Sequence, residues 1–239
     1  MVSAIVLAAG SGQRMGADLN KVYLELAGRP LLVYALEAFQ EHPLVDEVIL
    51  VYRLGDEELL TRVLAAGSFS KVRKKVPGGD QRMDSVVRGL NAADPLSQWV
   101  LIHDAARPLV SQTLISRCLE ATMRYGAACP VLPVKDTISR SCEQEMLGES
   151  LDRSTLRAMQ TPQGFHRPTY EAILEKTRLE RRVFTDDSSL FHWAGRPVKL
   201  FEGASETLKV TTPEDLCLCE FFLLQRQGGK GPQRACFAP

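Results

Sequence analysis

Phosphate chemistry needs backbone amides that small residues leave free and cations spaced close behind them. The run Gly10-Ser11-Gly12-Gln13-Arg14-Met15-Gly16, with Lys21 shortly after, supplies both. Small side chains let N–H groups close on a polyanion while Arg14 and Lys21 add fixed positive charge, so a triphosphate or phosphosugar is the expected ligand. A Walker loop is excluded by spacing, because Gly16, which closes the run, precedes Ala17 and not Lys-Ser/Thr. A dinucleotide fingerprint begins well at Gly10 and Gly12, but its third glycine falls on Met15, and it has no use for an arginine aimed at phosphate. A tight strand-to-helix turn with incidental basic residues is the plainer alternative.

A second group of residues follows the apolar run Trp99-Val100-Leu101-Ile102, in His103-Asp104-Ala105-Ala106-Arg107-Pro108. Asp104 is expected to project from the sheet edge on the side of Arg14 and Lys21, a hard oxygen ligand suited to Mg2+ or another divalent cation shared with phosphates. A buried helix-capping aspartate is the alternative. His103 is assigned to structure or ligand orientation, since no serine or cysteine nucleophile motif accompanies it. Arg107 is a candidate clamp for a second anion. Pro77-Gly78-Gly79-Asp80-Gln81-Arg82 forms a second glycine turn ahead of a helix that holds Ser85, Val86, Val87 and Leu90.

These residues must be held by a scaffold, and the chain reads as one. Apolar strand-like runs at Ala4–Ala9, Val48–Val51, Trp99–Ile102 and Ala127–Val134 alternate with helical periodicity, the pattern of a parallel sheet covered on both faces. Ligands then sit beyond the carboxyl ends of the strands. Helices are expected from Pro30 onward, over 56–66, around Tyr170-Ile173-Leu174, around Phe191 and Trp193 as far as Gly195, and after the Thr212-Pro213-Glu214-Asp215 cap; Val198–Leu200 returns to strand. Residues 135–159 break the pattern: they are polar and lack a helical face, which predicts a lid, a hairpin arm, a partner-binding element or a plain surface loop. One domain over 1–226 with a flexible tail over 227–239 is the expected organisation.

Composition excludes several function classes. With 239 residues, 45% hydrophobic and 24% charged, the chain can bury a full core. Zero net charge and a pI near 6.9 offer no basic field for nucleic acid or an anionic membrane. Cys118, Cys129, Cys142, Cys217, Cys219 and Cys236 show neither CxxC nor zinc spacing, and are expected as reduced thiols. The start carries no basic region with a cleavable apolar segment and no run reaches the ~20 residues of a membrane span, so a soluble cytoplasmic protein is expected.

Taken together, Leu7-Ala8-Ala9-Gly10-Ser11-Gly12-Gln13-Arg14-Met15, Lys21, Gly78-Gly79-Asp80-Gln81-Arg82 with Asp84-Ser85, His103 to Pro108, Asp136-Thr137, Asp152-Arg153, Thr161-Pro162-Gln163, Thr185-Asp186 and Lys209-Val210-Thr211 with Pro213-Glu214-Asp215 resemble the 2-C-methyl-D-erythritol 4-phosphate cytidylyltransferases, from about Ser3 to Leu224. The resemblance implies an α/β, Rossmann-like nucleotidyltransferase fold with a mainly parallel twisted sheet, helices on both faces and a protruding β-arm over 135–159 that embraces a second subunit in a homodimer. It implies transfer of a cytidylyl group from CTP to methylerythritol phosphate, with release of pyrophosphate. Arg14, Lys21 and Lys209 would be catalytic, and Asp104 would hold Mg2+. Ala8, Ala9, Gly10, Gly12, Gly79, Asp80, Arg82 and Ser85 would bind the nucleotide, and Arg107, Thr137, Arg153 and Thr185 the acceptor, with Thr137 and Arg153 coming from the partner arm. The chain departs from the family where Asn20 and Val22 flank Lys21 in place of proline and glutamine, and at Thr207, where asparagine is frequent. Ribitol 5-phosphate cytidylyltransferase, which differs in the acceptor pocket, and a non-catalytic nucleotide-binding protein of the same fold are the rival readings.

Overall fold

The computed structural model describes residues 1–10, 20–180 and 184–228. Strand β1 (Val2–Ala8) is apolar on both faces: Ala4, Val6 and Ala8 point into one hydrophobic layer and Ile5 into the other. A 3-10 turn over Lys21–Tyr23 leads to a small hairpin of β2 (Glu25–Leu26) and β3 (Arg29–Pro30), then to α1 (Leu31–Glu41), with Pro30 directly before its first turn. The alternation continues through β4 (Glu47–Tyr52), α2 (Glu57–Ala65), β5 (Val72–Pro77), α3 (Arg82–Ala92) and β6 (Trp99–Asp104). Helix α4 (Gln112–Tyr125) starts where the Ser111 side chain accepts from Leu114 N and stops at Gly126, whose φ of 82° suits glycine.

The second half is β7 (Ala127–Pro133), β8 (Ile138–Ser141), β9 (Leu147–Leu151), β10 (Arg157–Met159), β11 (Gln163–His166), α5 (Arg167–Glu180), α6 (Asp187–Trp193), β12 (Lys199–Glu202) and α7 (Pro213–Arg226). The reciprocal Thr212–Asp215 capping box starts α7, with proline in its first turn, as the sequence predicts.

The main sheet runs β10-β7-β11-β6-β1-β4-β5, with β12 against β7. β6, β1, β4 and β5 are parallel, and Leu7 of β1 lies opposite Asp104 of β6. Leu36 and Phe39 of α1, Leu60 and Val63 of α2, and Leu114 and Cys118 of α4 pack on one face. Val86 and Leu90 of α3, Tyr170 and Ile173 of α5, and Leu190 and Phe191 of α6 cover the other. A third cluster joins Cys219 and Leu223 of α7 to Leu26, Leu31 and Val210.

The sheet is mainly parallel, as expected, with two antiparallel additions. β11 enters antiparallel between β6 and β7, and β10 lies antiparallel along β7. Four residues, Gln-Gly-Phe-His, carry too little alternation to announce β11 from sequence. The polar excursion is also shorter than 135–159: β8 and β9 form a separate two-stranded hairpin, whereas Arg157–Met159 already belong to the main sheet.

Helix α3 crosses the sheet closely because Gly89 has no side chain; a Cβ there would come 2.5 Å from Ile5 Cγ2 and 3.1 Å from Val51 Cγ2. Gly89→Ala is therefore expected to cost about 1–3 kcal/mol of folding stability, the usual penalty for overpacking a tight core. Urea unfolding checks this, and an unchanged midpoint would mean that α3 can move off the sheet freely.

Candidate active site

The carboxyl ends of β1, β4, β5 and β6 meet at one edge of the sheet, where polar groups can leave an interior that is apolar on both faces. Asp104 ends β6 there, and its residue is only 9% exposed. The structure does not use it as a helix cap, since Ser111 caps the following helix. Lys209 Nζ lies 2.7 Å from Asp104 Oδ2, and Arg82 Nε lies 3.5 Å from Oδ1. Burial alone would raise the Asp104 pKa, but Lys209, then Arg82, and more weakly Arg107 overcome it and hold the carboxyl well below the usual range.

Arg82, in the first turn of α3, is itself held from behind. Its Nη1 lies 2.7 Å from Oδ2 of Asp187, a fully buried residue at the start of α6, whose other oxygen accepts from the Tyr170 hydroxyl. Burial opposes the arginine's charge, yet Asp187 and Asp104 outweigh it and raise its pKa. Asp187 and Tyr170 escape sequence reasoning. The one available signal is the acid pair Asp186-Asp187, of which Asp186 caps α6 by accepting from Ser189 N and Asp187 turns inward.

The backbone of Asp104 is fixed by a chain of donors. Asp104 N–H donates to Thr161 Oγ1 at 3.1 Å, that hydroxyl lies 3.0 Å from His103 Nδ1, and His103 Nε2 lies 3.1 Å from the Arg107 carbonyl. An Nε2–H tautomer satisfies all three contacts, with Thr161 donating to Nδ1. The structure thus gives His103 an orienting place beneath the carboxylate. Arg107 Nη1 donates to the Thr207 carbonyl at 2.8 Å and Nη2 to the Met159 carbonyl at 3.2 Å, which ties β10 to the segment carrying Lys209.

The second glycine turn lies beside the end of β1. A Cβ on Gly78 would stand 2.4 Å from Ala9 Cβ, so only glycine permits this approach. Gly79 N–H donates to Ser85 Oγ at 3.1 Å, while Asp80 is exposed at the mouth of the turn. Ala8 is buried, and Gly10 is exposed. Lys21, in its 3-10 turn, is half-buried, and Asn20 before it bonds the Ala8 carbonyl. Gly12 and Arg14 lie outside the described residues.

Thr185 is exposed two residues before Asp187. Thr137 and Arg153 are exposed at the two roots of the hairpin, with Arg153 Nη1 donating to the Lys135 carbonyl at 2.8 Å. Among the described residues no hydrogen bond or ion pair joins Thr137 or Arg153 to Asp104, Arg82 or Lys209. Nor do His, Cys, Asp and Glu side chains form a group of three or more able to hold a metal among the described residues. The donor at the sheet edge is a single carboxylate kept ionised, which fits a hard divalent cation shared with ligand phosphates and not an all-protein cage.

Burial pushes His103 down to about 4 from 6.5. The unfolded chain therefore binds one proton more than the folded chain between those values, and stability falls as pH drops from 6.5 towards 4. The expected loss from this group is roughly 3 kcal/mol across the window. Urea unfolding at pH 7 and pH 5 without divalent cation checks the sign, and His103→Gln should flatten the slope.

Comparison with known proteins places the chain in a family. The sequence pattern of the family described as 2-C-methyl-D-erythritol 4-phosphate cytidylyltransferase matches residues 2–225. The protein of that name from Alkaliphilus metalliredigens is 39% identical over 230 residues, covering 96% of this chain and 95% of the relative. That from Pelotomaculum thermopropionicum is 41% identical over 232 residues, covering 95% and 96%. The crystal structure of 4-diphosphocytidyl-2C-methyl-D-erythritol synthase from Anaerococcus prevotii aligns with a TM-score of 0.81 at 32% identity, over 93% of this chain and 95% of that one. The cytidylyltransferase structure from Thermus thermophilus aligns at 0.75 and 36% identity, over 95% and 100%. With the family pattern spanning nearly the whole chain and the fold matched in solved relatives, this chain belongs to the 2-C-methyl-D-erythritol 4-phosphate cytidylyltransferase family.

Proposed function

We propose that this protein transfers the cytidylyl group of CTP to 2-C-methyl-D-erythritol 4-phosphate, giving 4-diphosphocytidyl-2-C-methyl-D-erythritol and pyrophosphate. The observation that carries the reading is the convergence of Asp104, Lys209 and Arg82 at the carboxyl edge of the parallel strands in a chain of this family. In the reaction a phosphate oxygen of the acceptor attacks the α-phosphorus, a new P–O bond forms, and the bond to the departing pyrophosphate breaks. The nucleophile is already ionised, so positioning and cationic stabilisation do the work, and no general base is required.

In this scheme Arg14 and Lys21 meet the triphosphate, and Lys209 moves its charge from Asp104 towards the α-phosphate. Ala8, Ala9, Gly10, Gly12, Gly79, Asp80 and Ser85 frame the nucleotide, with Arg82 close by. The Gly78–Ala9 approach and the Gly79–Ser85 hydrogen bond fix this glycine turn against the end of β1. A divalent cation, Mg2+ or another, would be held on the protein side by Asp104 and would neutralise phosphate charge. Arg107 and Thr185 would face the acceptor from the same chain.

Thr137 and Arg153 would serve the site of a second subunit. This is supported by their exposure at the hairpin roots and by Ile138, Met146 and Leu147, apolar residues that the hairpin leaves exposed. The reading is thus of a homodimer joined through the arm, in one domain over 1–226. Among the described residues no helix is long and apolar enough to cross a membrane. Cys142 and Cys217, exposed and unpaired, suit a reducing compartment such as the cytoplasm.

The first test is pyrophosphate release with CTP, Mg2+ and methylerythritol 4-phosphate, set against ribitol 5-phosphate as acceptor, other nucleoside triphosphates as donors, and EDTA. Release with the first set alone is expected; preference for ribitol phosphate would move the acceptor, and silence with every pair would leave a binding protein. Arg14→Ala, Lys21→Ala and Lys209→Ala should each lower turnover by about one to three orders of magnitude, the loss usual for one preorganised charge contact. Mixing Arg153→Ala chains with Lys209→Ala chains should restore activity well above either variant alone, because one site in each mixed dimer would be intact. No recovery in verified mixed dimers would place the arm in its own subunit's site.

A further inference from the structure

Asn20 is fully buried, and its side chain hydrogen-bonds to three different segments. Nδ2 donates to the carbonyl of Ala8, the last residue of β1, at 2.8 Å, and to Asp56 Oδ2 at 2.9 Å. Oδ1 accepts from Val22 N at 3.4 Å and so caps the 3-10 turn that carries Lys21. The Asn20 carbonyl closes the same turn by accepting from Tyr23 N at 3.0 Å.

The carboxylate partner is itself anchored. Asp56, 2% exposed and placed directly before α2, accepts through Oδ1 from Arg53 Nε at 3.1 Å and Nη2 at 2.9 Å. Its other oxygen is thereby aimed at the Asn20 amide. Few side chains could replace Asn20. Aspartate offers no proton to Ala8 and would set a second charge against Asp56; serine can cap Val22 but is too short to bridge onward; proline has no donor at all.

We propose that Asn20 is a positioning residue for cytidylyl transfer: it fastens the turn bearing Lys21 to the carboxyl end of β1, with Asp56 and Arg53 holding its amide in register. The role of Lys21 rests on the cytidylyltransferase reading, whereas the fastening rests on the hydrogen bonds. A charge that must meet a triphosphate within a few tenths of an ångström gains from such a tether, since small misplacements of positioning groups are costly to rate.

The test compares wild type, Asn20→Ser, Asn20→Ala and Arg53→Ala in CTP affinity by titration calorimetry with Mg2+ and no acceptor, in KM for each substrate, and in thermal midpoint. Asn20→Ser keeps the cap and loses the bridge, so CTP should bind at least tenfold more weakly while KM for methylerythritol 4-phosphate stays within twofold. In a Lys21→Ala background the same substitution should change CTP affinity less than twofold, which a merely structural lesion would not reproduce. Folded Asn20→Ser with wild-type CTP affinity, or an equal loss in both backgrounds, overturns the proposal. If neither Asn20 variant folds, Arg53→Ala decides: a severalfold loss of CTP affinity supports the tether, and no loss overturns it. Wild type that binds CTP without transferring its cytidylyl group would sink the functional reading alone, because the tether is read from binding.

Discussion

An ionised carboxylate taken out of water loses hydration worth several kcal/mol unless cations replace it, and Asp104 sits at the end of a strand whose neighbours are apolar on both faces. Much of the site is built to meet that requirement. Lys209 arrives from the segment before α7, and Arg82 from the start of α3; neither would converge on this point without the parallel register that sets Leu7 beside Asp104. Arg82 then needs an anion behind it, which Asp187 provides, and Asp187 needs a donor, which Tyr170 provides. The polar network therefore continues from the sheet edge into the layer between α3, α5 and α6.

The same constraint explains the irregular half of the sheet. Antiparallel β11 wedges between β6 and β7, and the turn before it brings Thr161 under Asp104. Gln163 at its start accepts from Ser188 N and donates to Asp186, which steadies the turn from which Asp187 points inward. Arg107 links the end of β10 to Thr207, so this edge of the main sheet and the segment bearing Lys209 share one brace.

A site whose edge carboxylate is already paired with cations has a particular consequence for phosphate chemistry. In the proposed scheme the positive charge is stored in place before the ligand arrives, and phosphate oxygens would exchange partners with Asp104 and need not recruit lysine and arginine from solvent. In the proposed scheme this exchange, and not proton transfer, is what the protein contributes at the α-phosphorus. His103, neutral and enclosed beneath the carboxylate, fits that division: it bonds the Arg107 carbonyl directly and orients the Thr161 hydroxyl that accepts from Asp104 N–H.

Local patterns were legible in the residues themselves. Apolar runs marked β1, β4, β6 and β7, and Thr212-Pro213 with Asp215 marked the start of α7. These depend on side-chain periodicity, caps and glycine freedom, which act over a few residues. The short strands β10 and β11 left no such trace, because their pairing is stabilised by neighbours far along the chain. Nor did Asp187, Tyr170 or the Asn20–Asp56–Arg53 tether, each of which acquires its meaning only from a partner on another element. Short-range sterics and hydrophobic spacing along the chain suffice to say which residues can form strands, caps and tight turns. Which charges meet, and which polar groups are buried against them, emerges only in the folded chain, because ion pairing and burial depend on distances between segments that the chain order does not set.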